Sequence, residues 1–306
     1  MEEMPRASTA LELMSRYLDP TNDYAFKKLF SQPGRLISFL NAILELKSGH
    51  KIRQIQLIPK DQAPLIKDAK STILDVKCTD EEGKQYIVEM QNRNYPSFIK
   101  RIQLYASHSY VSQISSGEQY NVLKPIILLC MANRVLFPNK NKCISYHDTL
   151  DRHTGEHDLE DISYVFIELP KFNTEEQDLV TLQDQWFYFF RNWENSGEIP
   201  STIQEKEIID AYHAMEQFNW SKEELNAYFE AQIALADDFL ARQAEREEGK
   251  AEGIAEGIDI GKDIGKTEAV LEMAKKMLKR GLSLADIIED TGLSSEEITR
   301  LQENLH

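Results

Sequence analysis

Two carboxylates and an amide lie within a predicted β-hairpin, at positions where apolar residues would be expected. The stretch ILDVKCTDEEGKQYIVEMQ (residues 73–91) has two apolar runs around a DEEG turn, and these runs carry Asp75, Glu89 and Gln91. Side chains alternate between the two faces of a strand, so Asp75 shares a face with Lys77, and Glu89 shares a face with Gln91. The hairpin is therefore predicted to present both carboxylates and the amide from one face.

This pair of carboxylates predicts a metal site. Two carboxylates held close together repel each other, and burying them without partners is costly, so a divalent cation would stabilise the pair. Mg²⁺ suits such a site because it takes oxygen ligands, keeps several waters and is commonly held by one or two carboxylates. The spacing also leaves a structural alternative open, in which Asp75 and Glu89 are half-exposed strand residues paired with Lys77 or Lys84.

The flanking pattern predicts the elements that position the hairpin. NDYAFKKLF (residues 22–30) has helical spacing, a second helix is expected at about residues 34–46, and IRQIQLI (52–58) reads as a strand. After the hairpin come a predicted helix at 98–115 and two short apolar runs, VLKPIILLCMA and DISYVFIELP, that are typical of buried strands. A helix between strands predicts the α/β class, with a mixed sheet flanked by helices.

The second half of the chain is predicted to be helical. Strand patterns stop after about residue 174, so we predict one domain over residues 15–240, with its core at about 17–172 and a helical extension. Residues 241–267 contain a glycine at every fourth position from 249 to 265. Because a glycine in an exposed helix costs about 1 kcal/mol relative to alanine, this segment is either a linker or a helix whose glycines let two copies approach in a homo-oligomer.

Residues 268–306 are predicted to form a small helical tail. Gly281 would end one helix, Ser283 would cap the next, and Ser294 with Glu297 forms a capping box for the last. The pattern fits a helix-turn-helix and also fits other three-helix units. A homo-oligomer is expected to assemble through residues 245–306.

Charge and composition limit the possible partners and location. The net charge of −16 is uneven: residues 1–147 hold 20 Lys/Arg and 14 Asp/Glu, giving +6, whereas residues 148–306 hold 15 and 37, giving −22. The first half is therefore compatible with a phosphate-rich partner. No apolar run reaches the roughly 18 residues of a membrane span, and three cysteines suggest reduced thiols, so a cytoplasmic protein without membrane contact is expected.

Three motifs together resemble a known family. DPTNDYAFKKLF, ILDVKCTDEEGKQYIVEMQ and FIKRIQLYASHSYVSQISSGEQYNVLKPIILLCM, in this order, resemble the recombination-promoting nuclease and transposase family of the PD-(D/E)XK nuclease superfamily. The resemblance covers roughly residues 17–240, and the glycine segment with its tail is also similar to family C-termini. It implies a restriction-endonuclease-like fold and a metal-dependent DNA endonuclease of recombination or mobile-element type.

The resemblance also implies a set of metal ligands. Asp75 and Glu89 would ligate Mg²⁺, with Mn²⁺ as a possible substitute, and the Met90 carbonyl would be a third ligand. Asp23 matches an acidic residue of the family's first helix and would bind the metal directly or through water. Its alternative role is to place a negative charge at the N-terminus of that helix.

The remaining implied residues act on the substrate. Gln91 stands where the superfamily more often has a lysine; glutamine cannot act as a base, but its amide can position a water. Lys77 is a candidate for the missing charge. Arg101, Tyr105 and Gln113 on the following helix are candidates for phosphate contacts, with packing or solvation as the alternative.

Two other functions and one other set of metal-binding residues are compatible with parts of the sequence. A degenerate nuclease fold could serve as a nucleic-acid-binding or protein-interaction module, and a scaffold could assemble through the glycine column. Cys143, His147, His153 and His157 have loose zinc-like spacing, but the stretch is polar and lacks a paired CxxC, so a surface loop is predicted there.

Overall fold

The computed structural model describes residues 15–46, 50–58, 61–62, 72–73, 75–92 and 97–303. In the described part, two compact units are present, residues 1–239 and residues 240–306. The helices and strands are α1 (Asp23–Phe30), α2 (Pro33–Ile43), β1 (Ile55–Leu57), β2 (Asp61–Gln62), β3 (Thr72–Ile73), β4 (Val76–Asp80), β5 (Gln85–Gln91), α3 (Phe98–Val111), β6 (Ile126–Ala132), β7 (Ile144–Thr149), β8 (Leu159–Glu168), α4 (Leu182–Asn192), α5 (Lys206–Met215), α6 (Lys222–Lys279), α7 (Leu284–Thr291) and α8 (Ser295–Glu303).

A six-stranded mixed sheet forms the centre of the first unit, in the order β1-β4-β5-β6-β8-β7. The β1/β4, β4/β5 and β7/β8 pairs are antiparallel, whereas β5/β6 and β6/β8 are parallel. The strands β2 and β3 pair separately. Parallel β5 and β6 require a crossover, and α3 lies in that connection. The predicted mixed α/β sheet with flanking helices is confirmed.

Both faces of the sheet are covered by helices. On one face, Val76, Val88 and Met90 join a core that includes buried residues of α1, α2, α4 and α5. On the other face, Ile87 and Leu128 pack in a second cluster with buried residues of α3. Strands covered on both sides are typically rich in apolar residues, so a charged side chain in β5 lies in an apolar setting.

The helix α1 follows directly from its sequence. The Asn22 side-chain oxygen accepts hydrogen bonds from the backbone N–H groups of Tyr24 and Ala25, which caps the helix. Its apolar side chains at helical spacing are fully buried, including Phe26 and Phe30. Capping and burial together fix the helix, and therefore also fix the directions of its polar side chains.

The hairpin turn also has the predicted form. Asp80 accepts hydrogen bonds from the backbone N–H groups of Glu82 and Lys84. Gly83 adopts a φ of 84°, in the left-handed region that glycine reaches without strain. The DEEG sequence therefore sets the register in which β4 and β5 pair.

The structure differs from the sequence prediction at one strand. The predicted surface loop around Cys143 and His147 is wrong for residues 144–149, which form the edge strand β7 against β8. Its polar side chains hide the strand pattern because β7 is only half-buried at the sheet edge. His147 contacts Ser145 through its Nε2 atom, while the Cys143 thiol donates to the carbonyl of Glu168.

The glycine segment belongs to one continuous helix, since α6 runs from Lys222 to Lys279 through all five glycines. In the second unit, Ala274, Ile287 and Ile298 form a small core. Gly281 has a φ of 77°, Ser283 caps α7, and Ser294 exchanges hydrogen bonds with Glu297, as predicted.

Among the described residues, no helix is long and apolar enough to cross a membrane.

Candidate active site

The pairing of β4 with β5 brings the two carboxylates together. Val76 pairs with Val88 and Lys77 with Ile87, so Asp75, which immediately precedes β4, lies opposite Glu89. Asp75 is 8% exposed and Glu89 is 7% exposed. The alternative in which these are half-exposed strand residues is therefore wrong, because α3 and the neighbouring strands cover this face of the hairpin.

Reciprocal hydrogen bonds hold the pair. The backbone N–H of Asp75 donates to Oε1 of Glu89 over 3.1 Å, and the backbone N–H of Met90 donates to Oδ2 of Asp75 over 2.8 Å. Each carboxylate is thus held by the main chain of the opposite strand. This arrangement limits side-chain rotation and places carboxylate oxygens from both strands next to each other.

Burial makes ionisation of both carboxylates costly. Desolvation raises the pKa of Asp75 to about 6, although the nearby Lys27 opposes this shift. Desolvation also raises the pKa of Glu89 well above its ordinary value, and repulsion from Asp75 adds to the effect. A site that carries this cost gains stability from any cation that binds the pair.

Lys27 forms an ion pair with Asp75, a contact that the sequence did not predict. Its Nζ atom lies 3.2 Å from Oδ1 of Asp75 and 2.7 Å from Oδ2 of Asp23. Burial lowers the pKa of Lys27, but the two carboxylates outweigh burial and the net shift is upward. The i, i+4 spacing of Asp23 and Lys27 on α1 was the available signal, and it did not indicate Asp75.

Asp23 reaches the site through Lys27. It lies in the first turn of α1, its side chain is 59% exposed, and both of its carboxylate oxygens accept hydrogen bonds from Lys27. Its position is compatible with both roles expected from the sequence. Direct metal ligation by Asp23 stays a prediction.

Gln91 connects β5 to α3. It is 4% exposed, and its Oε1 atom accepts a 2.7 Å hydrogen bond from Nη2 of Arg101. The Arg101 guanidinium also lies 5.4 Å from the ring centre of Phe98 and 5.8 Å from that of Tyr105. The first turns of α3 therefore place Arg101 at the end of β5 that carries Glu89 and Gln91.

The other predicted substrate contacts have different positions. Tyr105 is 9% exposed and packs in the cluster beneath α3, where it supports Arg101. Gln113 exchanges hydrogen bonds with the backbone of Lys124, which precedes β6. Because β5 and β6 are parallel, the start of β6 lies beside the start of β5, whereas Gln91 is at the end of β5. The structure therefore does not bring Gln113 to the carboxylates.

Lys77 is buried on β4, two residues after Asp75 and on the same face of the strand. It is 9% exposed, and desolvation lowers its pKa. It pairs across the hairpin with Ile87, away from the end of the strand that carries Gln91. Lys27 from α1, rather than Lys77, makes the ion pair with Asp75.

The oxygen atoms of the site suit a hard divalent cation. In a strand, the N–H and C=O of one residue point to the same side; since the Met90 N–H reaches Asp75, the Met90 carbonyl points to that side too. Gln91, the next residue, directs its carbonyl to Asn133 on the other side. Two carboxylates and one carbonyl are ligands that Mg²⁺ accepts.

Within the described ranges, no group of three or more His, Cys, Asp or Glu side chains could hold a metal.

Comparisons with known proteins identify two regions of the chain. Residues 20–244 match the family described as "PD-(D/E)XK nuclease family transposase", and residues 267–303 match "Rpn/YhgA-like nuclease family, C-terminal HTH domain". No curated protein and no solved structure matches the chain. The nuclease family indicates nuclease activity and generally uses divalent metals, and the two matches imply DNA binding. The first match spans most of the chain, so the protein belongs to the PD-(D/E)XK nuclease family transposases.

Proposed function

We propose that this protein is a metal-dependent DNA endonuclease of recombination or mobile-element type, which hydrolyses phosphodiester bonds at the Asp75–Glu89 pair. The observation that carries the proposal is the burial of two carboxylates whose side chains are held by reciprocal bonds to the opposite backbone. A structural pair would be more stable as amides or apolar residues, because both carboxylates are desolvated and repel each other. Such a costly arrangement is typical of a functional site.

Asp75, Glu89 and the Met90 carbonyl would hold Mg²⁺, or Mn²⁺ in its place. The bound ion would polarise the phosphoryl oxygen and lower the pKa of a water. The chain's own contribution is to keep the oxygen ligands in place and to bring positive charge to the phosphate. Arg101 is suited to that second task, since a guanidinium binds phosphate oxygens in a forked geometry and Gln91 fixes its position.

The alternative is a catalytically degenerate module that binds nucleic acid or protein. It is favoured by the neutral Gln91 in β5 and by the acidic second half of the chain. The helices α7 and α8 carry six acidic residues and a single arginine, Arg300, which disfavours tight contact with phosphates through these two helices.

The test is cleavage of supercoiled plasmid in Mg²⁺, Mn²⁺ or EDTA by wild type, Asp75→Asn and Glu89→Gln. These substitutions keep side-chain size and the capacity to accept the backbone hydrogen bonds. We expect nicked and linear products in either metal, none in EDTA, and a loss of at least about 100-fold in rate in each variant. Circular dichroism would verify that all three proteins are folded.

A wild-type protein that is inactive in both metals and binds no Mn²⁺ would contradict the nuclease proposal. Binding of plasmid without cleavage would instead support the degenerate module. Cleavage that persists in both variants would place the active site elsewhere in the chain.

We further propose that the protein forms a homo-oligomer through residues 245–306. Support comes from α6, where Ile254, Ile258 and Ile264 are each more than half exposed beside the glycine positions. In the described chain, apart from the neighbouring backbone of α6 itself, no atom lies within 4 Å of where a Cβ would stand at Gly253 or Gly257. The cytoplasmic location expected from the sequence stays a prediction.

A further inference from the structure

Lys27 lies where positive charge is required at the Asp75–Glu89 pair. Its ammonium group contacts one buried carboxylate, Asp75, and one exposed carboxylate, Asp23. The Lys27 side chain is 27% exposed, so the ammonium group lies between the buried pair and solvent. A phosphodiester that approaches Asp75 from solvent would meet this group.

The position of Lys27 is set by the packing of α1. Its neighbour Phe26 is fully buried, and the helix start is fixed by Asn22, which also donates from Nδ2 to the carbonyl of Tyr228. Lys28, the next residue, points elsewhere: its Nζ atom lies 2.5 Å from Glu224 and 4.2 Å from the ring centre of Trp220. Two adjacent lysines on one rigid helix therefore have separate surroundings.

The contact of Lys27 with Asp23 can be exchanged at low cost. An ion pair with an exposed carboxylate is worth little because water and salt screen it. An incoming phosphate oxygen could replace Asp23 as an acceptor while Asp75 continues to hold the ammonium group. On the other side of the pair, Arg101 is bound to Gln91, so the two cations would approach a phosphate from α1 and from α3.

We infer that Lys27 is a catalytic residue that binds the scissile phosphate through its ammonium group and stabilises the charge that develops there. This inference rests on the proposed nuclease function and adds a residue to that site. Lys27 remains protonated throughout and donates hydrogen bonds to phosphate oxygens, so no proton is transferred. The arrangement is a preorganised donor aimed at developing negative charge.

The experiment measures two quantities in four proteins: the single-turnover rate of plasmid nicking, and the Kd for Mn²⁺ by electron paramagnetic resonance. The proteins are wild type, Lys27→Met, Lys27→Arg and the matched control Lys28→Met. Met retains the aliphatic length of lysine without its charge, and Arg retains the charge.

Lys27→Met is expected to slow nicking by about 100-fold. Its Kd for Mn²⁺ should stay the same or become lower, because a cation that repels the metal has been removed from Asp75. Lys27→Arg should recover part of the lost rate because it restores the charge. Lys28→Met should nick within about twofold of wild type, since the contacts it loses, with Glu224 and Trp220, involve none of the candidate site residues.

Nicking by Lys27→Met at the wild-type rate would overturn the inference while leaving the nuclease proposal intact. Loss of Mn²⁺ binding together with nicking in Lys27→Met would also overturn it, because Lys27 would then only hold the carboxylates in place. A wild-type protein that binds Mn²⁺ but nicks no DNA would overturn the nuclease proposal and this inference together.

Discussion

Asp75 is a buried carboxylate whose charge is not fully stabilised by its surroundings. It is ion-paired with Lys27 and bonded to the Met90 N–H, yet its pKa is still raised because burial outweighs both interactions. The ionised side chain therefore costs folding free energy at neutral pH. A metal ion bound to the pair would recover that cost, so stability and metal binding should be coupled.

Asp75→Asn is expected to stabilise the metal-free protein at pH 8. Between about pH 4 and 6 the folded state keeps a proton on Asp75 that the unfolded chain has lost, so wild-type stability falls as pH rises through this window. The shift from 3.8 to about 6 corresponds to about 3 kcal/mol, and we expect a gain of about 1–3 kcal/mol in the variant.

Urea unfolding in EDTA at pH 8 and at pH 4 would measure this gain, which should largely vanish at the lower pH. Asp148→Asn, at an exposed position on β7, is the control and should change stability by less than about 0.5 kcal/mol. A lower stability of Asp75→Asn than of wild type at pH 8 would show that the contact with Lys27 outweighs the cost of burial.

At the level of elements, the proposed site is built by three segments that are positioned by different interactions. The hairpin β4–β5 supplies the carboxylates, α1 supplies Lys27, and α3 supplies Arg101. The hairpin is set locally by the DEEG turn, whereas α1 and α3 reach the site only by packing on opposite faces of the sheet. Weakening α1 should therefore affect both stability and the site.

Asn22→Ala, which removes the cap of α1, is expected to lower the unfolding free energy by about 1–2 kcal/mol. Thr181→Ala is the matched control, because Thr181 caps α4 with a capping box and α4 carries none of the candidate site residues. Thermal melts should show a similar loss in both variants. The nicking rate of folded protein should fall only in Asn22→Ala. An equal effect on nicking in both variants would show that the cap of α1 does not position the site.

At the level of the whole molecule, the two halves of the chain differ in charge and in composition. The first 147 residues carry +6 and contain the hairpin, whereas the remainder carries −22 and contains the glycine segment. Five glycines within one exposed helix reduce its intrinsic stability, by about 1 kcal/mol each relative to alanine. Close packing against a second copy would explain why glycine occupies these five positions.

Gly257→Ala is expected to weaken the oligomer, because a methyl group would separate helices that approach at the glycine column. Light scattering coupled to size-exclusion chromatography would detect a fall in mass relative to wild type. Lys262→Ala, at an exposed position on the same helix, is the control and should keep the wild-type mass. A monomeric wild type would contradict the oligomer proposal, and Gly257→Ala should then only stabilise α6.

Local sequence rules were sufficient for the features that depend on neighbours along the chain. Turn chemistry and strand alternation predicted that Asp75 and Glu89 would lie on one face of the hairpin, and capping residues predicted the starts of α7 and α8. Features that depend on packing required the tertiary structure: the burial of the carboxylates, the contact of Lys27 with Asp75, and the pairing of β7. Periodicity shows which face of an element is apolar, but only the docking of α1 on the sheet determines which carboxylate its lysine meets.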